Sequence, residues 1–140
     1  MNLKLEDKNI FLNLESESKE AAIRRAGEKL VEMGSVDKDY IDFMLEREKV
    51  ATTYMGLGIA IPHGVNEAKK SIKKSGIVFL QYPNGVDFGD EKAYLVIGIA
   101  GKDDEHLEIL SSVAIKIDEN LVEKLKSTTN KQDFIDEFGA

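Results

Sequence analysis

Gly58-Ile59-Ala60-Ile61-Pro62-His63-Gly64 is the stretch around which the remaining sequence arranges itself. Its apolar run reads as a strand that ends at Pro62. The proline ring fixes φ and removes a backbone donor, and Gly64 tolerates a conformation that most residues avoid. A strand that stops this abruptly displays one imidazole on a stiff turn. His63 is one of only 2 histidines in the chain. Seven residues make a weak motif, and a surface-loop histidine with no task fits them equally well. The neighbouring segments decide between the two readings.

Upstream, Ala22, Ile23, Ala26, Leu30 and Met33 recur at helical spacing, with Ser18 as N-cap and Gly34 as the stop. Residues 9–14, ahead of this helix, are short and apolar and read as a strand. Asp37 is the expected cap of a second helix, buried along Tyr40, Ile41, Met44 and Leu45. Arg47 follows Met44 by three positions and Tyr40 by seven, so it sits beside the apolar face of a helix that leads into the His63 turn. An exposed salt-bridge partner is the ordinary role of such an arginine.

Downstream, residues 66–75 are lysine-rich and read as a loop. Residues 77–82 read as a strand, Pro83-Asn84-Gly85 as a turn and residues 86–88 as its return. Tyr94-Leu-Val-Ile-Gly-Ile-Ala100 is apolar throughout, the pattern of a central strand covered on both faces. Asp104 is the expected cap of a third helix with Leu107, Leu110, Ala114 and Ile117 inward and His106 in its first turn. Residues 120–126 suggest a short fourth helix. Asn130 would cap a last one carrying Phe134, Ile135 and Phe138. Interleaved strands and helices give an α/β domain with helices on both faces of a small sheet.

Composition narrows the function. A length of 140 residues suits one domain with a proper core, and 42% hydrophobic with 32% charged residues describes a globule. A net charge of −7 disfavours nucleic acid and anionic membrane surfaces. No apolar run approaches the ~20 residues needed to span a bilayer, and the Met1-Asn2-Leu3-Lys4 start is not a signal peptide. Zero cysteines excludes disulfides and thiolate chemistry and fits a cytoplasmic protein.

The candidate site is His63, Arg47 and His106. A metal centre would have to recruit carboxylates around the two histidines, and no HExxH-like spacing offers them. No Gly-x-Ser-x-Gly elbow is present. No metal and no cofactor is therefore expected. A nucleophilic histidine fits better: one ring nitrogen attacks a phosphoryl group while a backbone carbonyl of the stiff turn holds the proton on the other. Arg47 would supply a forked, permanently charged donor. The start of the third helix would add N–H groups and favour a neutral, hydrogen-bond-donating His106. Asp103, Asp104 and Glu105 would repel phosphate unless they point away, and read best as a capping cluster on a solvated helix start.

With these residues in place the chain resembles the IIA components of the bacterial phosphoenolpyruvate-dependent sugar phosphotransferase system, of the mannitol–fructose class and closest to the mannitol type. The resemblance runs essentially end to end. It is carried by Leu45-Glu46-Arg47-Glu48-Lys49, by residues 58–64, by Gln81-Tyr82-Pro83-Asn84-Gly85-Val86, by Leu95-Val96-Ile97-Gly98-Ile99-Ala100 and by Glu105-His106. It implies one three-layer α/β/α domain over residues 1–140 with a small mixed sheet. It implies a phosphotransferase in which the position matching His63 accepts a phosphoryl group from the phosphocarrier HPr. The group then passes to the cysteine of a mannitol-type IIB domain, here expected on another chain with its membrane permease, and on to the sugar. The family's accessory arginine and second histidine fall on Arg47 and His106. A regulatory phosphohistidine protein of the nitrogen-related IIA kind, or a non-catalytic binding module on the same fold, are the alternatives.

Overall fold

The computed structural model describes residues 4–139, so the first three residues and the last of the expected domain lie outside it. In chain order the elements are β1 (Ile10–Phe11), α1 (Lys19–Glu32), α2 (Asp39–Val50), β2 (Tyr54–Gly56), β3 (Ile59–Ala60), β4 (Gly76–Phe88), β5 (Glu91–Ala100), α3 (Glu105–Ala114), α4 (Glu119–Leu125) and α5 (Lys131–Phe138). The strands form one mixed sheet in the order β1-β4-β5-β3-β2. β1 runs parallel to β4 and β3 parallel to β5, while β4 is antiparallel to β5 and β2 to β3. β5 is the middle strand, as its unbroken apolar run requires.

Side-chain alternation along β4 and β5 divides the core in two. Val78, Leu80, Tyr82, Val96 and Ala100 face α1 and α2. Ile77, Phe79, Leu95, Ile97 and Ile99 face α3, α4 and α5. On the second face Phe79 meets the rings of Phe134 and Phe138 with centroids 5.7 and 4.9 Å away. The expected three-layer α/β/α domain is therefore the fold observed, with a packed helical layer on each side.

Three helix starts are closed by side chains. Ser18 Oγ accepts from Ala21 N–H at 3.1 Å, Asp118 Oδ1 from Leu121 N–H at 2.7 Å and Asn130 Oδ1 from Gln132 N–H at 2.9 Å. Asp37 and Asp104 do not cap. Asp37 N–H is drawn to Ser71 O and its carboxylate to Lys73 Nζ, 3.1 Å away. Asp104 already has helical dihedrals, φ −78° and ψ −9°, where a cap needs extended backbone.

Other expectations give way to tertiary pairing. β1 holds only residues 10 and 11 of the expected 9–14, because the ladder with β4 breaks at Asn13, whose φ is 56°, although Leu14 N–H still reaches Gln81 O at 3.0 Å. Residues 66–71 of the expected loop form a 3₁₀ helix. Pro83-Asn84-Gly85 is not a hairpin turn. Gln81 pairs with Leu95 and Val86 with Ala93, so residues 82–85 stand opposite Tyr94 alone, as a bulge inside β4. The chain reverses at Gly89-Asp90 instead. In α3 the inward residues are Ile109 and Val113, while Leu107 is 71% exposed. The apolar residues of that helix, Leu107, Ile109, Leu110, Val113 and Ala114, spread over a wide arc, so spacing alone does not choose which of them lie innermost.

Gly98 lies where α1 crosses β5. A Cβ there would sit 2.9 Å from both Ala26 Cβ and Val78 Cγ1. Gly98→Ala should therefore destabilise the fold by about 1–3 kcal/mol, the range for overpacking a close helix–sheet contact. Urea unfolding measures it. A midpoint equal to wild type would mean that α1 slides freely on the sheet.

Candidate functional site

The His63 turn is anchored to one residue of the central strand. Ile99 N–H donates to Pro62 O at 3.0 Å, and His63 makes an isolated parallel bridge to Ile99. At the carbonyl of the same residue the Tyr40 hydroxyl donates to Ile99 O at 2.8 Å and accepts from Gly64 N–H at 2.9 Å. One phenol thus joins α2, β5 and the turn. Tyr40 is 1% exposed, and burial pushes its pKa up to about 12, so the phenol keeps its proton. The clamp draws His63 in. It is 8% exposed and lies recessed at a cleft, where the sequence suggested display at the surface.

His63 Nδ1 lies 2.8 Å from Ile61 O. A carbonyl can only accept, so Nδ1 carries the proton and Nε2 keeps its lone pair. A carbonyl was expected from within the turn, and it comes from the residue just before Pro62. Burial lowers the pKa of His63, and the fields of His106 and Arg47 push the same way. The Ile61 carbonyl and the Glu48 carboxylate oppose them.

His106 reaches the site because α3 starts directly over the end of β5. A Cβ on Gly101 would lie 2.2 Å from His106 Cα, so no other residue admits this approach. The two imidazole centroids are 5.2 Å apart with their planes at 56°. Burial first, then the charges of Arg47 and Lys69, lower the His106 pKa. These charges supply a cause that the sequence reading had assigned to the helix start. Arg47 lies in the last turn of α2, and its Nη1 donates to Ala51 O at 2.6 Å. It lines the cleft together with Val50, His63, Asn66, Glu67 and His106.

The structure thus brings His63, Arg47 and His106 to one cleft. Asp103 and Asp104 are exposed and do not border it on the His63 side. Glu105 accepts from Ser75 Oγ at 3.0 Å. Among the described residues no group of three or more His, Asp or Glu side chains is placed to hold a metal ion. No helix among them is long and apolar enough to cross a membrane. Sequence reasoning missed Lys69, submerged in a lysine run, and the hydroxyl role of Tyr40. It also missed Glu48, a carboxylate 8% exposed on the inner side of α2. An acid among inward-facing positions was the available signal for the last.

Known proteins resemble this chain in sequence and in fold. The family model described as phosphoenolpyruvate-dependent sugar phosphotransferase system, EIIA 2, matches residues 4–139. The mannitol-specific phosphotransferase enzyme IIA component of Geobacillus stearothermophilus is 50% identical over 131 residues, covering 91% of this chain and 90% of that protein. The PTS system mannitol-specific EIICBA component of Vibrio cholerae is 47% identical over 135 residues, or 94% of this chain, which spans 21% of that longer protein. Among solved structures, enzyme IIA in the complex of mannitol IIA and phosphorylated mannitol IIB from Escherichia coli superposes with a TM-score of 0.92. That match has 44% identity and covers 97% of each chain.

Both rings should titrate below the ordinary histidine value of 6.5. Depressed folded-state values mean that the unfolded chain binds protons first as the pH falls. Stability is thus full above pH 6.5 and is lost as the pH drops through the folded values, by at most about 1.4 kcal/mol per pH unit for each ring. NMR titration of the two imidazoles, with urea unfolding at several pH values, tests this. A ring titrating above 6.5 would reverse the sign.

Proposed function

The chain belongs to the EIIA 2 family of the phosphoenolpyruvate-dependent sugar phosphotransferase system, and we propose on that premise that it relays a phosphoryl group through His63 Nε2 from HPr to a mannitol-type IIB domain. The observation that carries this reading is the Nδ1–H···O=C contact to Ile61, which leaves a neutral ring with its nucleophilic lone pair on Nε2 beside Arg47 and His106. In the loading step Nε2 attacks phosphorus. A new N–P bond forms, and the bond to the donor breaks with its electron pair leaving on the carrier. In the unloading step the IIB thiolate attacks phosphorus and the pair returns to Nε2. The proton stays on Nδ1, donated to Ile61 O throughout, so the ring needs no tautomer change between steps.

Phosphoryl transfer asks chiefly for alignment and for donors to the equatorial oxygens. Arg47 holds one N–H on Ala51 O, which sets the plane of its fork and leaves further N–H groups for phosphate. His106, kept neutral by burial and nearby cations, has one N–H to donate. Val50 on the rim of the cleft is 75% exposed, and Leu107, beside His106, is 71% exposed. Val50 shares the cleft with His63 and Leu107 lines the adjoining pocket with Gly64 and His106, and exposed apolar side chains of this kind suit contact with a docking protein, with long-range charge acting mainly on encounter rate.

Two measurements test the relay. After incubation with phosphoenolpyruvate, enzyme I and HPr, acid-labile phosphate should map to His63 alone and vanish in His63→Ala. Label that persists in that variant, or that maps to His106, overturns the assignment. Phosphate should then pass to a mannitol-type IIB domain offered within a panel. Stable labelling with transfer to none of them would favour the regulatory alternative.

Arg47→Lys keeps the charge but loses the planar fork. It should slow transfer on the order of 100-fold, the cost of losing one well-placed donor to a developing anion, with the unfolding midpoint unchanged. Wild-type transfer in that variant would return Arg47 to an exposed structural role.

A further inference from the structure

Glu48 follows Arg47 on α2 but turns the other way. Its side chain is 5% exposed, and burying a carboxylate is costly unless something uses it. Oε1 accepts twice from Thr53, from N–H at 2.9 Å and from Oγ1–H at 2.6 Å. Oε2 has no hydrogen-bond partner among the described residues, and Lys19 Nζ lies 3.7 Å away. Thr53 in turn accepts Ile61 N–H on its carbonyl at 3.0 Å, just beyond the β2–β3 pairing of Tyr54 with Ala60. Ile61 is the residue whose carbonyl holds the His63 proton. Both backbone polar groups of Ile61 are therefore engaged, one by Thr53 and the other by His63.

We propose that Glu48 is a positioning residue for His63. Its carboxylate pins Thr53, Thr53 pins Ile61, and Ile61 O thereby keeps the imidazole oriented with its proton on Nδ1. The phosphoryl group touches none of these three residues. Their service is to hold the acceptor still while the ring gains and loses a covalent bond. A negative charge at this place also opposes the field of Arg47 at the ring, so two adjacent residues of one helix act on His63 in opposite senses.

The proposal rests on the relay reading above, and its first readout is independent of it: ring nitrogen NMR of unphosphorylated His63, which needs no donor protein. The wild-type ring should show a protonated Nδ1 and a lone-pair Nε2. In Glu48→Ala the two ¹⁵N shifts should move toward each other as the tautomers mix, while the circular dichroism of the fold persists. Transfer from phospho-HPr at saturating donor should fall roughly 10- to 100-fold with KM for HPr unchanged, by analogy with the loss when the partner that orients a metal-bound histidine is removed. Glu48→Gln keeps an acceptor oxygen without the charge and should restore most of the tautomer purity and of the rate. Thr53→Val removes only the hydroxyl and should shift the ring in the same direction by less, which keeps the test decisive if Glu48→Ala does not fold. Wild-type ring shifts in folded Glu48→Ala, or in Thr53→Val where the alanine variant is unfolded, overturn the proposal. So does a glutamine variant as impaired as alanine. A wild-type protein that takes no phosphate from HPr, yet shows these ring shifts, would refute the relay and leave the positioning intact.

Discussion

Ile99 is the point on which the site depends. It lies on the central strand of the sheet, buried between two helical layers, and both of its backbone polar groups serve the His63 turn. Its N–H holds Pro62, and its carbonyl receives the hydroxyl of Tyr40, which also receives Gly64 N–H. Backbone groups of a middle strand cannot shift without disturbing the sheet on either side. A turn tied to them inherits that rigidity, and positional accuracy of this kind is what an in-line displacement demands.

The electrostatics of the cleft follow from the same burial. Two imidazoles 5.2 Å apart would repel if both were charged, and both are pushed toward the neutral form. The permanent charge is left to Arg47, which cannot lose its proton, with Lys69 close enough to act on His106. Local environment thus leaves two rings pushed toward neutrality beside one fixed cation, the division that the proposed relay calls for. Although the whole chain carries a net charge of −7, the charges that act on His106 are the cations Arg47 and Lys69, while at His63 Glu48 opposes Arg47.

Legibility varied with the range of the interaction. Ser18 and Asn130 were readable as caps because a cap joins residues two or three apart. Asp37 and Asp104 have the same chemistry and do not cap, because one is drawn away by Ser71 and Lys73 and the other has entered the helix. Pro83-Asn84-Gly85 has turn composition, yet the pairing of β4 with β5 on either side makes it a bulge. The apolar pattern of α3 allowed two faces, and only the sheet beneath it selects Ile109 and Val113.

The sequence by itself determined the α/β class, the central strand, and His63, Arg47 and His106 as candidates, because periodicity and motif are local properties of the chain. Only the tertiary structure decided that these three side chains meet at one cleft. It also decided which carbonyl holds the His63 proton, and that Tyr40 and Glu48 do more than fill a helix face. Those outcomes rest on contacts such as Tyr40 with Ile99 and Ile61 with Thr53, which join residues far apart along the chain or on different strands. Hydrogen bonds and burial at such separations arise only once the sheet has closed, and no spacing rule along one dimension encodes them.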